Sequence, residues 1–576
     1  MEYELIKPIN QNFSAIEQVL TNRGIEIDEI NHFLNTSDKD ILDPSTIDRI
    51  EDGLKILVKH ISNADNVLLQ VDSDCDGMTS SAFLLNYLHR RFPAFVENHI
   101  KYRFHEGKQH GIILESVPKD VKLVIAPDSS SNDYEIHQAL FKQGIDVLVI
   151  DHHQAEKISE YACVINNQLC DYPTKSLSGV GMVYKFCSYM DTYFDDKIAD
   201  DYLDLTALGI IADVMSLKDF ETKRIVEKGL NNLRNPFFKS MVEKNSFSLK
   251  DNLTPDGVAW SIAPYVNAVL RIGSQSEKEI LFQSMLDYKA YNEVPSTKRG
   301  CKGQMETIVE QSCRMCTNIK NRQQNLRDKY FEEVENIILQ DKLLENKILI
   351  VKNKTNQDAN LTGLVANQLM SKYQRPVILL NNRDGEWHGS ARGYEKSKLQ
   401  NFKTFCSLSN LILYAEGHEN AFGIGFKNDE AINDFIKYSN NKLFNLNFSV
   451  TYKVDFIYSF GDFRGKDILD LAALKTIWGK NVEEPIIAIK DIKLNKNNLF
   501  LLSPNAHPTL KIVLPNKVNL MKFKSSREEY ENLYSENGCV IIDIIGKCNA
   551  NEWEGNITPQ LIIEDYEIIA RQNYYF

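Results

Sequence analysis

The chain has 576 residues, of which 43% are apolar and 25% charged, and a net charge of −13. No single core grows to that length, so roughly three to five folded units are expected, and the ordinary composition excludes a largely disordered chain. Apolar runs such as Val540 to Gly546 are far too short to cross a bilayer, Met1 to Asn10 lacks the apolar core of a secretory signal, and ten irregularly spaced cysteines exclude a disulfide framework and fit a reducing, cytoplasmic compartment.

From Asn12 to Ile61 apolar residues recur at helical spacing (Ile16, Val19, Leu20, then Ile50, Leu54, Ile56, Leu57), which predicts a helical lead-in over residues 1–60. Three short apolar runs follow, Val67 to Val71, Val121 to Ala126 and Ile145 to Ile150, each ending at or next to an aspartate. That rhythm predicts a parallel α/β sheet, in which ligands lie beyond the carboxyl ends of the strands, where Asp72, Asp128 and Asp151 stand. Helical patterns dominate from Gly179 to Leu233. A single apolar stripe, Ile308, Met315, Ile319, Leu326, Tyr330, Val334 and Ile337, predicts a helix bridging two domains. Cys313 and Cys316 form a lone CxxC inside it with no second pair, which favours helix packing over zinc.

A second α/β unit is expected from Lys347 to about Phe426, with strands Ile348 to Val351 and Val377 to Leu380 around a helix from Leu361 to Lys372. From Pro485 onward, short β-patterned runs (Ile486 to Ile489, Leu499 to Leu502, Leu510 to Leu514, Val540 to Ile545, Gln560 to Ile563) alternate with turn residues, the pattern of a small barrel or sandwich. Between Pro485 and Arg527 there are eight Lys or Arg residues and a single acid, Asp491, so an acidic chain carries a locally basic stretch. It reads either as a track for a polyanion or as a solvated lysine-rich face.

Asp72-Ser-Asp74-Cys-Asp76-Gly77 places three carboxylates at alternate positions after a buried-type strand, a set of hard oxygen ligands suited to Mg²⁺ or Mn²⁺. Calcium is disfavoured, because the glutamate that a calcium loop needs six residues after Gly77 is Phe83. Asp151-His152-His153 follows another such strand and adds imidazole, which favours a transition metal such as Mn²⁺. Asp213 closes an apolar helical run; alone it would be an ordinary helix-end charge. Likewise Gly389 to Gly393, taken alone, reads as a surface turn.

Taken in order, Asp74, Asp76, Asp128, the Asp-His-His run and Asp213 resemble the four motifs of the DHH phosphoesterases. Leu177-Ser-Gly-Val-Gly, Ile262 to Arg271, Gly389-Ser-Ala-Arg392, Gly417-His-Glu-Asn-Ala-Phe-Gly423 and Asn551-Glu-Trp-Glu-Gly extend the resemblance to the RecJ exonucleases over nearly the whole chain. The resemblance implies a multidomain α/β fold: a helical lead-in (1–60), a parallel-sheet DHH catalytic domain (61–300), a linker helix (301–345), a DHH-associated α/β domain (346–445) and a C-terminal OB-fold domain (446–576). It further implies a 5′-to-3′ exonuclease that hydrolyses single-stranded DNA to mononucleotides in repair or recombination. In this reading two divalent ions are held by Asp74, Asp76, Asp128 (bridging), His152 and Asp213, with Asp72 as a further candidate, and His153 faces the substrate phosphate. Ser390, Arg392 and His418, helped by Asn267, Arg271 and Arg103, hold the terminal 5′-phosphate. Phe500, Phe523 and Trp553 stand as stacking platforms or as core residues. A single-strand-binding protein or a helicase is the expected partner, and no membrane is.

Three features depart from the family pattern. Asp128 is followed by Ser-Ser where Asp-Cys-Gly is usual, Arg271 ends Asn-Ala-Val-Leu-Arg instead of Asn-Ala-x-Gly-Arg, and Lys108 and Gln109 look inserted before His110-Gly111. Two other readings stay open: a DHH phosphodiesterase of short oligonucleotides or cyclic dinucleotides, which would not need the C-terminal domain, and a non-catalytic nucleic-acid scaffold, which would be expected to have lost ligands.

Overall fold

The computed structural model describes residues 1–106, 109–249, 253–353, 359–448 and 450–573; Lys108 and the side chain of Trp553 lie outside this set. The chain divides into two compact units. The first comprises Arg23–Arg322 and Lys475–Glu483; the second comprises Met1–Asn22, Gln323–Leu474 and Glu484–Phe576.

In the first unit, β1 (Asn66–Val71), β2 (Ile100–Phe104), β3 (Val121–Pro127), β4 (Asp146–Asp151) and β5 (Cys163–Asn166) form one parallel sheet in the order β2-β1-β3-β4-β5. Alternate residues feed two cores. Val67, Leu69, Leu123, Ile125, Leu148 and Ile150 pack with Phe83, Leu84 and Val180 of the helices Cys75–Arg91 and Gly179–Phe194, while Leu68, Val124, Val147 and Val149 pack with Ile112 and Leu140. Burial of both faces explains why these strands read as continuous apolar runs. Strand order reverses between β1 and β3, and such a switch point leaves a crevice at the carboxyl ends of the two strands.

The second unit holds a mixed sheet of β6 (Leu349–Asn353), β7 (Val377–Arg383), β8 (Glu386–Arg392), β9 (Tyr414–His418) and β10 (Ala421–Phe426), ordered β9-β10-β8-β7-β6. Only β6 and β7 are parallel, joined across the helix Thr362–Tyr373. The bare reading of Gly389 to Gly393 as a surface turn is corrected here: Gly389 to Arg392 lie in β8. Gly389 is required in the strand because a Cβ would stand 1.9 Å from the Leu379 carbonyl oxygen. A seven-stranded sheet follows: β11 (Phe456–Ser459), β12 (Ile486–Leu494), β13 (Leu499–Leu502), β14 (Thr509–Val513), β15 (Asn519–Lys522), β16 (Gly538–Trp553) and β17 (Asn556–Asn573), ordered β11-β12-β16-β17-β15-β14-β13.

The helical lead-in also needs correction. Glu2–Leu5 is a strand paired in parallel with Thr451–Val454, and Tyr3 Oη donates to Asp543 at 2.7 Å. Four residues are too few for a strand period to stand out beside the helices Ala15–Asn22 and Ile50–Ser62. The helix Ile308–Gln340 buries Ile308, Ile319, Tyr330 and Val334 of the expected stripe but leaves Leu326 exposed; Cys313 and Cys316 are buried, and the division between the units falls within the helix. No helix among the described residues is long and apolar enough to cross a membrane.

Candidate metal centre

The crevice of the first sheet gathers its acids from five elements. Asp72 and Asp74 follow β1, Asp76 lies in the first turn of Cys75–Arg91, Asp128 follows β3, His152 and His153 follow β4, and Asp213 ends the helix Leu203–Ala212. His152 Nε2 lies 3.2 Å from Asp128 Oδ1, 3.5 Å from Asp213 Oδ2 and 3.9 Å from Asp76 Oδ2. Three groups have ligand atoms within 4.8 Å of one another: Asp76, His152 and Asp213; Asp72, Asp74 and Asp128; and Asp128 with Asp151, His152 and His153. Asp128 and His152 each belong to two of them.

The backbone places these side chains. A Cβ on Gly77 would lie 2.5 Å from Asp72 Cβ, so the turn from β1 into the helix needs a glycine there. The Gly77 N–H caps Asp74 Oδ1 at 3.0 Å. Asp76 is held by the start of the helix Gly179–Phe194, accepting from Ser178 Oγ at 2.9 Å, Gly179 N at 2.6 Å and Val180 N at 3.2 Å. Asp128 has φ +63 and Ser130 φ +79, left-handed conformations that cost L-residues about 1–2 kcal/mol each. Ser130 stands where the family pattern has glycine, so the departure noted in the sequence is a strained backbone beside Asp128.

The electrostatics follow from the crowding. Burial, and then Asp76, Asp74 and Asp72, push the Asp128 carboxyl well above the usual range. Asp213 is raised to about 8 by burial and by Asp76 and Asp74. Asp74 is open to solvent on one side, yet the protein packed around it, followed by Asp76 and Asp72, raises it to about 6. Burial also raises Asp76, against the pull of its hydrogen bonds. Burial and the neighbouring His153 lower His152 to about 4, which keeps the imidazole neutral and able to ligate. Asp128 Oδ1 and His152 Nε2 are buried without a hydrogen-bond partner. Buried carboxylates that repel one another and lone pairs without donors fit a divalent cation, with oxygen and imidazole ligands suited to Mn²⁺ or Mg²⁺.

Several residues of the site were not legible as such. The carboxylate of Asp151 is taken up by its own neighbours: it accepts from the N–H groups of Ser131, His152 and His153 and from His153 Nδ1 at 2.8 Å. Burial opposes its charge, but these bonds and the histidines outweigh it and hold Asp151 well below the usual carboxylate range. The bond to Asp151 in turn raises His153 to about 9. His110 lies 2.9 Å and His105 3.6 Å from Asp72 Oδ1, contacts between a loop and a strand end that no spacing in the sequence announces.

Of the residues expected to hold phosphate, Arg271 lies on the helix Ala263–Ile272 one turn after half-buried Asn267, where burial lowers its pKa and the Asp74 charge opposes this only in part. Arg103, in β2, donates to Ser116 Oγ at 2.7 Å. In the second unit Ser390 and Arg392 alternate on β8, so they share a face. Arg392 pairs with Ala421, which pairs with His418, putting all three side chains on that face. A Cβ on Gly363 would meet Arg392 Nη2 at 2.7 Å and Ser390 Oγ at 3.5 Å, so both groups lie at the N-terminal turn of the helix Thr362–Tyr373, an end that favours anions. Phe500 and Phe523 are 41% and 53% exposed, which removes the core reading for these two.

A doubly wound parallel sheet bearing Asp-x-Asp, Asp and Asp-His-His at successive strand ends defines a DHH-type phosphoesterase domain. The profile of the DHH family, N-terminal domain, matches residues 66–210, and that of the RecJ OB domain matches residues 454–565. The chain is 36% identical over 99% of its length to the provisionally named SPbeta prophage-derived single-strand DNA-specific exonuclease YorK of Bacillus subtilis, covering 98% of that protein. It is 25% identical to the single-stranded-DNA-specific exonuclease RecJ of Bacillus subtilis, over 96% of this chain and 67% of RecJ. The crystal structure of Thermus thermophilus RecJ in complex with Mn²⁺ superposes with a TM-score of 0.69 at 18% identity, over 98% of this chain and 78% of that one, a likeness of fold. The chain belongs to the RecJ family of the DHH superfamily.

Proposed function

We propose that the protein is a 5′-to-3′ exonuclease that hydrolyses single-stranded DNA to 5′-mononucleotides, in repair or recombination, using two divalent ions. The observation that carries this reading is the convergence of Asp76, Asp128, His152 and Asp213, with Asp128 Oδ1 and His152 Nε2 buried and lacking hydrogen-bond partners. Asp74, Asp76, Asp128, His152 and Asp213 would hold the ions, and the membership of Asp128 in two ligand groups supports a bridging role. Bound there, divalent ions supply the Lewis acidity that phosphodiester hydrolysis by water requires, so no protein nucleophile is needed.

The remaining work belongs to the chain. Asp151 fixes the His153 ring through Nδ1, leaving Nε2 to donate to a phosphate oxygen. Ser390, Arg392 and His418 recognise the terminal 5′-phosphate, which selects the end at which cutting starts; the shared face on β8 and the helix N-terminus support this. Residues 446–576 bind the strand behind the cleavage point. Exposed Phe500 stands in register with Lys511, an aromatic beside a cation as in single-strand-binding barrels, and this favours long strands over dinucleotide substrates. The test is digestion of 5′-labelled and 3′-labelled single strands with Mn²⁺. Immediate release of the 5′ label as a mononucleotide, lost in Asp74→Ala and His152→Ala, is expected; hydrolysis of dinucleotides alone would replace this reading with the small-substrate one.

A further inference from the structure

Two carboxylate–imidazole pairs stand side by side at the carboxyl edge of the first sheet. Asp151 Oδ1 lies 2.8 Å from His153 Nδ1, and Asp72 Oδ1 lies 2.9 Å from His110 Nδ1. In each pair the acid is buried, at 1% and 5% exposure, while the imidazole is about half open, at 47% and 56%. The rings meet edge to face with centroids 5.8 Å apart. A carboxylate on Nδ1 fixes the ring and leaves Nε2 for another partner.

The chain immediately after His110 is firmly anchored. Gly111 has φ +68, and its carbonyl accepts from His105 Nε2 at 2.7 Å. The buried Ile112 donates its N–H to Ser130 Oγ at 3.0 Å and Asp133 Oδ2 at 3.2 Å. Ser130 occupies the glycine position of the family pattern at φ +79, and its hydroxyl makes the bond that a glycine could not. Two departures of this sequence, the serine after motif two and the turn containing His110, are therefore joined by one hydrogen bond.

We propose that His110 is a second phosphate-binding imidazole, which together with His153 clamps the non-bridging oxygens of the phosphodiester to be cleaved, with Asp72 as its positioning residue. This rests on the exonuclease reading above. With Nδ1 turned to Asp72, the ring presents Nε2 to the phosphate; a hydrogen bond to a charged group of this kind is worth about 1.5–3 kcal/mol, or roughly 10- to 100-fold.

The experiment compares kcat/KM with Mn²⁺ on a 5′-phosphorylated oligothymidylate and on the same strand with one non-bridging oxygen of the first linkage replaced by methyl. His110→Ala is expected to lose roughly 10- to 100-fold on the phosphate strand and far less on the methylphosphonate. His110→Gln, whose amide N–H reaches the position of Nε2, is expected to recover most of the loss. In an Asp128→Ala background, where cleavage is silenced, fluorescence anisotropy should show the same preference in binding. An equal loss on both strands, or none, overturns the proposal. Failure of the exonuclease reading would look different: the wild-type protein would leave both strands intact, and the proposal would fall with it.

Discussion

Gly179 approaches Asp128 so closely that a Cβ on it would stand 2.3 Å from Oδ1 and 2.4 Å from the aspartate Cβ. The same residue donates its N–H to Asp76 at 2.6 Å, so one glycine sets the spacing of two carboxylates on different elements. Gly179→Ala keeps a residue with good helix propensity at a helix start but must push Asp128 out of the cluster. We expect activity to fall at least about 100-fold, as misplacement by an ångström does, with the circular-dichroism spectrum unchanged. Wild-type turnover and manganese affinity in this variant would show that Asp128 is not a ligand.

The raised carboxyls make metal binding a proton exchange. A carboxyl held at about 6, as Asp74 is, or about 8, as Asp213 is, retains its proton below that pH and must release it to ligate a cation. Manganese affinity should therefore rise as the pH is raised from 6 to 8, with at least one proton released per binding event near neutrality. Saturating Mn²⁺ at about 100 times its dissociation constant should stabilise the unit by about 2.7 kcal/mol, and chelation should reverse this. Calorimetry in buffers of different ionisation enthalpy measures the proton count; an affinity independent of pH would contradict the crowding described here.

Asp74, Asp128 and His152 were legible in the sequence because each follows a strand buried on both faces, and a run of apolar residues ending in an aspartate is hard to mistake; Asp213, at a helix end, was singled out only by the family resemblance. Asp151, His105 and His110 were not, since their roles depend on which way a side chain turns at a strand end and on a contact between a loop and Asp72. The strand β8 escaped because Gly389-Ser-Ala-Arg has the composition of a turn; its glycine answers to the Leu379 carbonyl on the neighbouring strand, which local pattern does not report. The strand Glu2–Leu5 finds its partner at Thr451–Val454, a pairing that no periodicity reveals.

Away from the crevice, Lys185 is fully buried, 2.7 Å from Glu221 Oε1, and also donates to the Leu42 carbonyl. Tyr172 Oη bonds both Glu221 oxygens at 2.8 Å, and the Leu42 N–H donates to Oε1 at 3.0 Å. Lys185→Met leaves the Glu221 carboxylate buried without its cation and should cost about 3–5 kcal/mol in chemical denaturation. Adding Glu221→Gln removes the stranded charge and should recover part of that loss. A double variant no more stable than Lys185→Met alone would mean that lost packing, not the stranded charge, sets the cost.

The basic stretch of the C-terminal sheet is weaker as a track than its composition suggests. Lys496 is paired with Glu536 at 3.2 Å, Lys522 with Glu529 at 2.8 Å and Arg527 with Glu531 at 3.2 Å, while Lys490 lies over the Tyr3 ring. Lys493, Lys511, Lys517 and Lys524 are engaged in none of these pairs. On single strands each neutralised phosphate contributes about −0.7 to the slope of log affinity against log salt, so four lysines account for about −3, where all eight basic residues would give about −6. Replacing the four by Gln in an Asp128→Ala background should flatten the measured slope for an oligothymidylate by about 3. A slope unchanged by these substitutions would place the strand on some other surface, and a wild-type slope near −6 would mean that the intramolecular pairs open when DNA binds.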